Sequence, residues 1–308
     1  MKISLACLSL VALGASTLVT DGARAADQRS YSGGRFLLAV GGVNVGYLKS
    51  LEGGNVVGDV APEPPRPPAF PKKHLGGTHV EPLVAEVGLQ AGPFASWITD
   101  TLNGTFTPKG VTSTTADFNY KEASRTELDR CRLVQIEFPR LDGSSKDASY
   151  LRLTMQPEAA RRVASTGADV RAGFADKTRS WLASNFRVSI AGLPTERVAS
   201  VEPITIKVVG STLSVSNLVF GVSQVDAKPW QDWHDAFVAA RGESAEALEK
   251  TGTIELLEPD MKAVIARLSF RGLGSVRVSS GKQSAASEAS PRFTAEMYVE
   301  DVRFSVGK

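Results

Sequence analysis

The sequence predicts a mainly β protein built from two tandem domains with one short helix each. Three observations support this prediction: two similar opening strands, two similar short helices, and a matching order of strands after each helix. The chain has 308 residues, enough for two domains that each bury a core. Its formal net charge of +2 gives no long-range attraction to nucleic acid or to anionic lipid.

The two opening strands are "RFLLAVGGV" (35–43) and "NFRVSIAGL" (185–193). In the second stretch, Phe186, Val188 and Ile190 alternate with small or polar residues. This is the period of a half-buried strand. The phenylalanine and a glycine of each stretch align, and each glycine supplies a turn position before the chain reverses. The two stretches therefore predict the same strand and turn.

The two helices are predicted at "PFASW" (93–97) and "PWQDW" (229–233), each opened by a proline and closed by a tryptophan. Proline is well placed at the first helical position. In each helix the apolar residues recur at a helical spacing that puts them on one face. The predicted buried residues are Phe94, Trp97, Ile98 and Thr101 in the first helix and Trp230, Trp233, Phe237 and Val238 in the second.

The strands after each helix extend the alignment, which pairs Phe138 with Phe270 and Met155 with Met297. The shared order is strand, turn, strand, strand, short helix, strand, strand, which predicts an internal repeat. The copies differ in "APEPPRPPAFPKKHLGG" (61–77), whose prolines exclude a helix and a central strand. The second copy has a tight turn between two strands at this place.

Residues 1–25 have the pattern of a secretory signal: a lysine, an apolar run and a small-x-small triplet ending at Ala25. The predicted domains are 31–158 and 185–308, joined by a partly helical linker at 159–184. No other run is apolar enough to cross a bilayer. The sequence therefore predicts an exported protein, periplasmic or secreted, with no membrane span once the signal is removed.

The sequence predicts no catalytic, cofactor-binding or metal site. His74 and His79 flank "LGGT", with Glu81 two residues later, and this spacing matches no compact zinc pattern. His234 has acidic neighbours in sequence, but adjacent helical residues point to different sides and form no relay. Cys131 lies beside an apolar run, which favours a buried and inert thiol.

Trp97, Trp230 and Trp233 could in principle stack against a sugar or a base. Their helical spacing favours a structural role instead, in the contact between each helix and its sheet. We therefore predict that all three belong to the hydrophobic core, and no ligand is assigned to them.

Several stretches resemble the tail tube proteins of contractile phage tails and their relatives in injection machines. They are "NFRVSIAGL", "PWQDWHDAF", "TGTIELLEPDMKAVIARLSFRGLGSVRVSS" and "RFTAEMYVEDVRF". The resemblance is clearest over 185–304 and looser over 33–155, and it lies in the order and spacing of elements. It implies two tail-tube-like domains, each a small β-barrel or sandwich with one packed helix. It also implies a structural protein without enzymatic activity.

The resemblance further implies assembly into rings that stack into a hollow tube. Ring contacts would involve edge strands and the long loop at 58–80, and three copies would form a ring with pseudo-sixfold symmetry. An alternative remains open from the residues themselves. An exported monomer could contact a partner through its Pro-rich loop and through the Ser-rich loop at 279–292.

Overall fold

The computed structural model describes residues 35–45, 48–64, 70–89, 92–174, 181–280 and 291–307. The predicted signal at 1–25 lies outside the described residues. Those from 35 onward belong to one compact unit. The elements up to residue 163, here called the N-half, are β1 (Arg35–Val40), β2 (Val43–Asn44), β3 (Leu48–Gly53), β4 (Val56–Pro62), β5 (Lys73–Val80), β6 (Leu83–Val87), α1 (Pro93–Leu102), β7 (Lys109–Ala116), β8 (Glu122–Phe138), β9 (Leu141–Asp142), β10 (Ala148–Ser149), β11 (Leu151–Gln156) and β12 (Ala159–Val163).

A 3-10 helix at Arg171–Phe174 follows. The later elements, here called the C-half, are β13 (Trp181–Leu182), β14 (Phe186–Ile190), β15 (Val198–Val201), β16 (Ile204–Val209), β17 (Thr212–Val215), β18 (Leu218–Ser223), a 3-10 helix at Gln224–Asp226, α2 (Ala227–Ala240), α3 (Glu243–Glu246), β19 (Lys250–Leu257), β20 (Val264–Ser280) and β21 (Arg292–Val306). The predicted mainly β class is confirmed, with curled sheets and short helices packed on them.

The strands of the two halves follow the same order across their sheets. In the N-half the order is β1-β7-β8-β11-β6-β3, and in the C-half it is β14-β19-β20-β21-β18-β15. All of these pairs are antiparallel. β12 continues the N-half sheet along β8, as the last residues of β21 continue along β20.

The two halves also share details of their strand register. The pairing of β3 with β6 shifts between Leu48 and Ser50, and that of β15 with β18 shifts between Val198 and Ser200. Bulges insert a residue at a defined place and re-aim the side chains beyond it. The irregularity therefore lies at the same place in both sheets.

The register corrects one of the sequence alignments. Val111 lies opposite the last residue of β1, and Gly252 lies opposite the last residue of β14, so the two occupy corresponding positions. Val111 then faces Leu128, whereas Gly252 faces Phe270. Leu128 therefore occupies the place of Phe270, and the predicted pairing of Phe138 with Phe270 is wrong. An alternating pattern looks the same after any even shift, so it cannot fix the register of a long strand.

The packed faces of the helices match the prediction with one exception. Phe94, Trp97, Ile98 and Thr101 of α1 are all buried. In α2, Trp230, Trp233 and Phe237 are buried, but Val238 is 48% exposed. The prediction of a buried Val238 is therefore wrong: Val238 lies at the rim of the packed face, in the last turn of α2, one turn after half-buried His234.

Two further expectations change in the structure. The long loop expected at 58–80 is mostly a hairpin, in which β4 pairs with β5 and residues 65–69 lie outside the described residues. The predicted linker at 159–184 begins with strand β12, which belongs to the N-half sheet. In its described residues the only helix is a four-residue 3-10 helix.

Candidate assembly surfaces

Besides the short pair of β10 with β13, three contacts join the N-half to the C-half in the described residues. The hairpin β16–β17 adds to the edge of β8 in the N-half sheet. Strand β9, from the N-half, adds to the edge of β15 in the C-half sheet. Helix α1, from the N-half, lies against β21. Each half therefore lends an element to the sheet of the other.

The first contact is an apolar strand pair. Ile204 lies opposite Phe138, and Ile206 lies opposite Ile136. The exposed fraction of these side chains is 3% or less. Directly opposed residues on antiparallel strands bring their side chains into contact. The pairing therefore closes part of the hydrophobic core and leaves no free edge on this part of β8.

The second contact carries charged groups at its rim. Arg140 donates to Glu202 Oε1 across the two halves at 2.6 Å. Asp142, on β9, accepts hydrogen bonds from the Ser144 hydroxyl and backbone N–H. These bonds, followed by the charge of Arg140, lower the pKa of the Asp142 carboxyl below its ordinary value. A charged Asp142 therefore stabilises the turn that holds β9 against β15.

The third contact uses the end of a helix. Thr99 Oγ1 donates to the carbonyl of Phe304 at 3.4 Å. Arg303 Nη1 donates to the carbonyl of Leu102 at 3.4 Å and to Asn103 Oδ1. The last carbonyls of a helix have no partner within it and carry partial negative charge. Arg303 therefore supplies both the missing donor and a favourable charge.

Two strand edges, in the β4–β5 hairpin and at the end of β20, are unpaired among the described residues. Among the described residues, β4 and β5 pair only with each other. Val56 is 57% exposed and Leu75 is 70% exposed. The segment of β20 from Ser275 to Ser280 pairs only with β21 in the described chain, and its other edge is unpaired. Unpaired strand edges with apolar side chains are sites where another chain can add.

His74 and His79 bind different acidic residues. His79 Nδ1 is 2.8 Å from Asp59 Oδ1, and His74 Nδ1 is 3.9 Å from Glu63 Oε1. Both pairs are exposed and bridge the two strands of the β4–β5 hairpin. Glu81 instead accepts a hydrogen bond from Asn55 Nδ2 at 3.1 Å. The structure therefore does not bring Glu81 together with the two histidines.

His234 and its neighbour Asp232 also bind different partners. His234 Nδ1 lies 2.9 Å from Ser275 Oγ on β20, and Asp232 binds Lys228 Nζ at 2.8 Å along the helix. Over the described residues, no group of three His, Cys, Asp or Glu side chains is placed to hold a metal ion.

Cys131 and the tryptophans lie in the core. Burial, and next the charge of Asp129, raise the pKa of the Cys131 thiol to about 12, so it stays protonated at neutral pH. Trp230 Nε1 donates to the Pro194 carbonyl at 3.0 Å, and Trp233 Nε1 donates to the Leu248 carbonyl at 2.9 Å. Their rings are buried, so they present no stacking surface to a ligand.

Sequence reasoning missed the residues that join the halves. The stretch "ITIKVV" alternates as a half-buried strand does, but this pattern does not say which sheet covers it. Arg303 and Arg140, which bond to the other half, have no sequence pattern that marks them.

No helix in the described residues is long and apolar enough to cross a membrane. No protein-family model matches the sequence, and no curated protein matches it.

The solved structures that are similar to parts of this chain include the following three. The first is the sheath/tube terminator of an extracellular contractile injection system (PVC) in its extended state, at 16% identity, covering 42% of this chain and 94% of that chain with a TM-score of 0.37. The second is the sheath-tube complex of the same kind of system, at 16% identity, 42% and 88% coverage and a TM-score of 0.37. The third is the baseplate of the anti-feeding prophage, at 14% identity, 39% and 91% coverage and a TM-score of 0.28. Likenesses at this level do not by themselves assign a function to the chain.

Proposed function

We propose that this protein is an exported, non-enzymatic structural subunit made of two copies of one tail-tube-like unit. Copies of the chain assemble head to tail into rings or a short tube. The proposal for two copies is supported by the shared strand order, the shared register and the shared place of the bulge. Residues 1–25 serve as the export signal in this proposal.

One observation carries the proposal for assembly. Strand β16 of the C-half covers the edge of β8 in the N-half. In the described residues, strand β4 and the end of β20, which hold the corresponding places in the other half, have no such partner. When one surface of a copy binds a different surface of the next copy, the same contact can repeat along the assembly. The copies form a closed ring if the rotation from one copy to the next adds up to a full turn, and a filament if it does not. A ring of three chains would contain six units.

The hairpin β4–β5 offers a direct test. Val60 lies opposite Leu75 on this hairpin, and both side chains are exposed. The substitution Val60→Asp places a charge there without touching the core. Val209→Asp, at an exposed position on the hairpin β16–β17, is the matched control.

The protein is purified after export, and its mass shows whether the signal has been removed after Ala25. Light scattering over a range of concentrations, followed by electron microscopy, then measures the assembly. We expect oligomers with ring or tube shape, reduced in Val60→Asp and retained in Val209→Asp. A monomer at every concentration contradicts the proposal.

A second candidate function is a monomeric exported binding module. It is favoured by Phe70, which is 96% exposed at the end of the Pro-rich hairpin. Large aromatic side chains commonly anchor protein contacts. A monomer that loses binding to its partner when Phe70 is replaced by Ala would support this function over assembly.

A further inference from the structure

The joint between the two halves indicates how two chains would meet. In this joint, β16 pairs antiparallel with the second part of β8, so that Ile206 lies opposite Ile136 and Thr205 lies opposite Glu137. Both isoleucines are fully buried. The joint therefore combines main-chain hydrogen bonds with an apolar pair, as in strand addition between separate chains.

Strand β4 occupies the same place in the N-half as β16 in the C-half. Val56 pairs with Val80 at the base of its hairpin, as Ile206 pairs with Val215. One backbone hydrogen bond beside each pair is also shared, since the N–H of Glu81 donates to Asn55 and that of Ser216 donates to Thr205, both at 2.9 Å. Val56 therefore occupies the place of Ile206, but it is exposed where Ile206 is buried.

The end of β20 occupies the same place in the C-half as the end of β8 in the N-half. Val278 lies opposite Ala295 on β21, as Ile136 lies opposite Leu153 on β11. A bulge precedes both positions. Val278 therefore occupies the place of Ile136, and it is only partly buried. Where β16 covers the edge of β8, nothing in the described residues covers the edge of β20.

Resting on the assembly proposed above, we infer that β4 of one copy pairs antiparallel with the end of β20 of the next copy, with Val56 opposite Val278. The same register places Asn55 opposite Ser279 and Val57 opposite Arg277. None of these pairs opposes like charges, and the central pair is β-branched and apolar, as strand pairs favour. The occupant of each free edge is thus a second copy of this chain.

A second surface supports the same arrangement. Arg303 holds the end of α1 within the chain, and Arg161 on β12 occupies the corresponding place in the N-half. The side chain of Arg161 is 71% exposed. The last turn of α2 contains no basic residue and its C-cap is Arg241, and a further cation at a helix C-terminus is favourable. Arg161 of one copy would therefore meet the end of α2 of its neighbour, where Val238 is exposed.

Cysteine cross-linking between two singly substituted chains tests this register. One chain carries Val56→Cys and the other carries Val278→Cys, both with Cys7→Ser; buried Cys131 is left in place. Opposed residues of antiparallel strands have Cα atoms about 4.5 to 5.5 Å apart, within the range of a disulfide. Val57→Cys mixed with Val278→Cys is the matched control, since a shift of one residue turns the side chain to the other face.

We expect a disulfide-linked dimer in the mixture of Val56→Cys and Val278→Cys, and none with either chain alone or with Val57→Cys. Assembly detected by light scattering without this cross-link, or with equal cross-linking of the control, overturns the inferred register and leaves the proposed function standing. A monomer at every concentration overturns both.

Discussion

Ile206 lies directly opposite Ile136 on paired antiparallel strands, although the two residues belong to different halves of the chain. Neither side chain is exposed. The two halves therefore share one hydrophobic cluster and are not independent domains joined by a linker. This buried strand pair stabilises the contact between the halves.

We predict that Ile206→Ala lowers the free energy of unfolding by about 2 to 4 kcal/mol, because it removes buried methyl groups and leaves a cavity. Val56→Ala, at the corresponding exposed position, should change the free energy of the isolated chain by less than about 0.5 kcal/mol. Urea unfolding at a concentration where the protein is monomeric measures both. Equal effects of the two substitutions would contradict the assigned correspondence.

We predict that Cys131 does not react with a thiol reagent in the folded protein at neutral pH. The thiolate is the reactive form, and burial raises the pKa of this thiol to about 12. A Cys7→Ser chain followed by absorbance with an aromatic disulfide should show no reaction until urea unfolds it. Rapid reaction of the folded protein at pH 7 would show that Cys131 is accessible.

The sequence was sufficient to predict the opening strand and the main helix of each half. Phe186, Val188 and Ile190 alternate because one face of β14 is buried, and Trp97 and Trp233 mark helices whose apolar faces pack on a sheet. These patterns are local, since they depend on the period of the element and on the side that meets the core.

The joint between the halves could not be predicted in the same way. Residues 204–209 alternate as any half-buried strand does. Such a strand could pair with a strand of either half, so the pattern does not identify its partner. The register of β8 was also missed, because its alternation persists over 17 residues. The hairpin β4–β5 was expected as a loop because prolines dominate 61–71, yet its strands lie at an edge where proline is tolerated.

Asp142 should make the joint at β9 sensitive to acid. The pKa of its carboxyl is lowered, first by the hydrogen bonds from Ser144 and then by Arg140. A group with a lowered folded-state pKa contributes stability above its unfolded pKa of about 3.9, and this stability is lost as the pH falls through the folded pKa. Asp142→Asn should therefore lower the melting temperature at pH 7 and make little difference near pH 2. Melting curves at both pH values measure this, with Asp235→Asn, at an exposed position on α2, as a control for general acid effects.

Arg303 and Arg161 occupy corresponding places in the two halves, but we expect only Arg303 to affect the stability of the isolated chain. Arg303→Ala removes donors to the end of α1 and should lower the free energy of unfolding by about 1 kcal/mol. Arg161→Ala should leave unfolding of the isolated chain within about 0.5 kcal/mol, because its side chain is exposed and its ion pair with Glu127 lies at the surface.

Arg161→Ala should instead weaken assembly by about tenfold in the apparent dissociation constant, the equivalent of about 1.4 kcal/mol. Sedimentation across a concentration series measures this loss. Arg187→Ala, on β14, is the matched control because Arg187 is also an exposed arginine in an ion pair, with Glu255. If Arg161→Ala and Arg187→Ala weaken assembly equally, general charge accounts for the effect, and α2 of one copy does not meet Arg161 of the next.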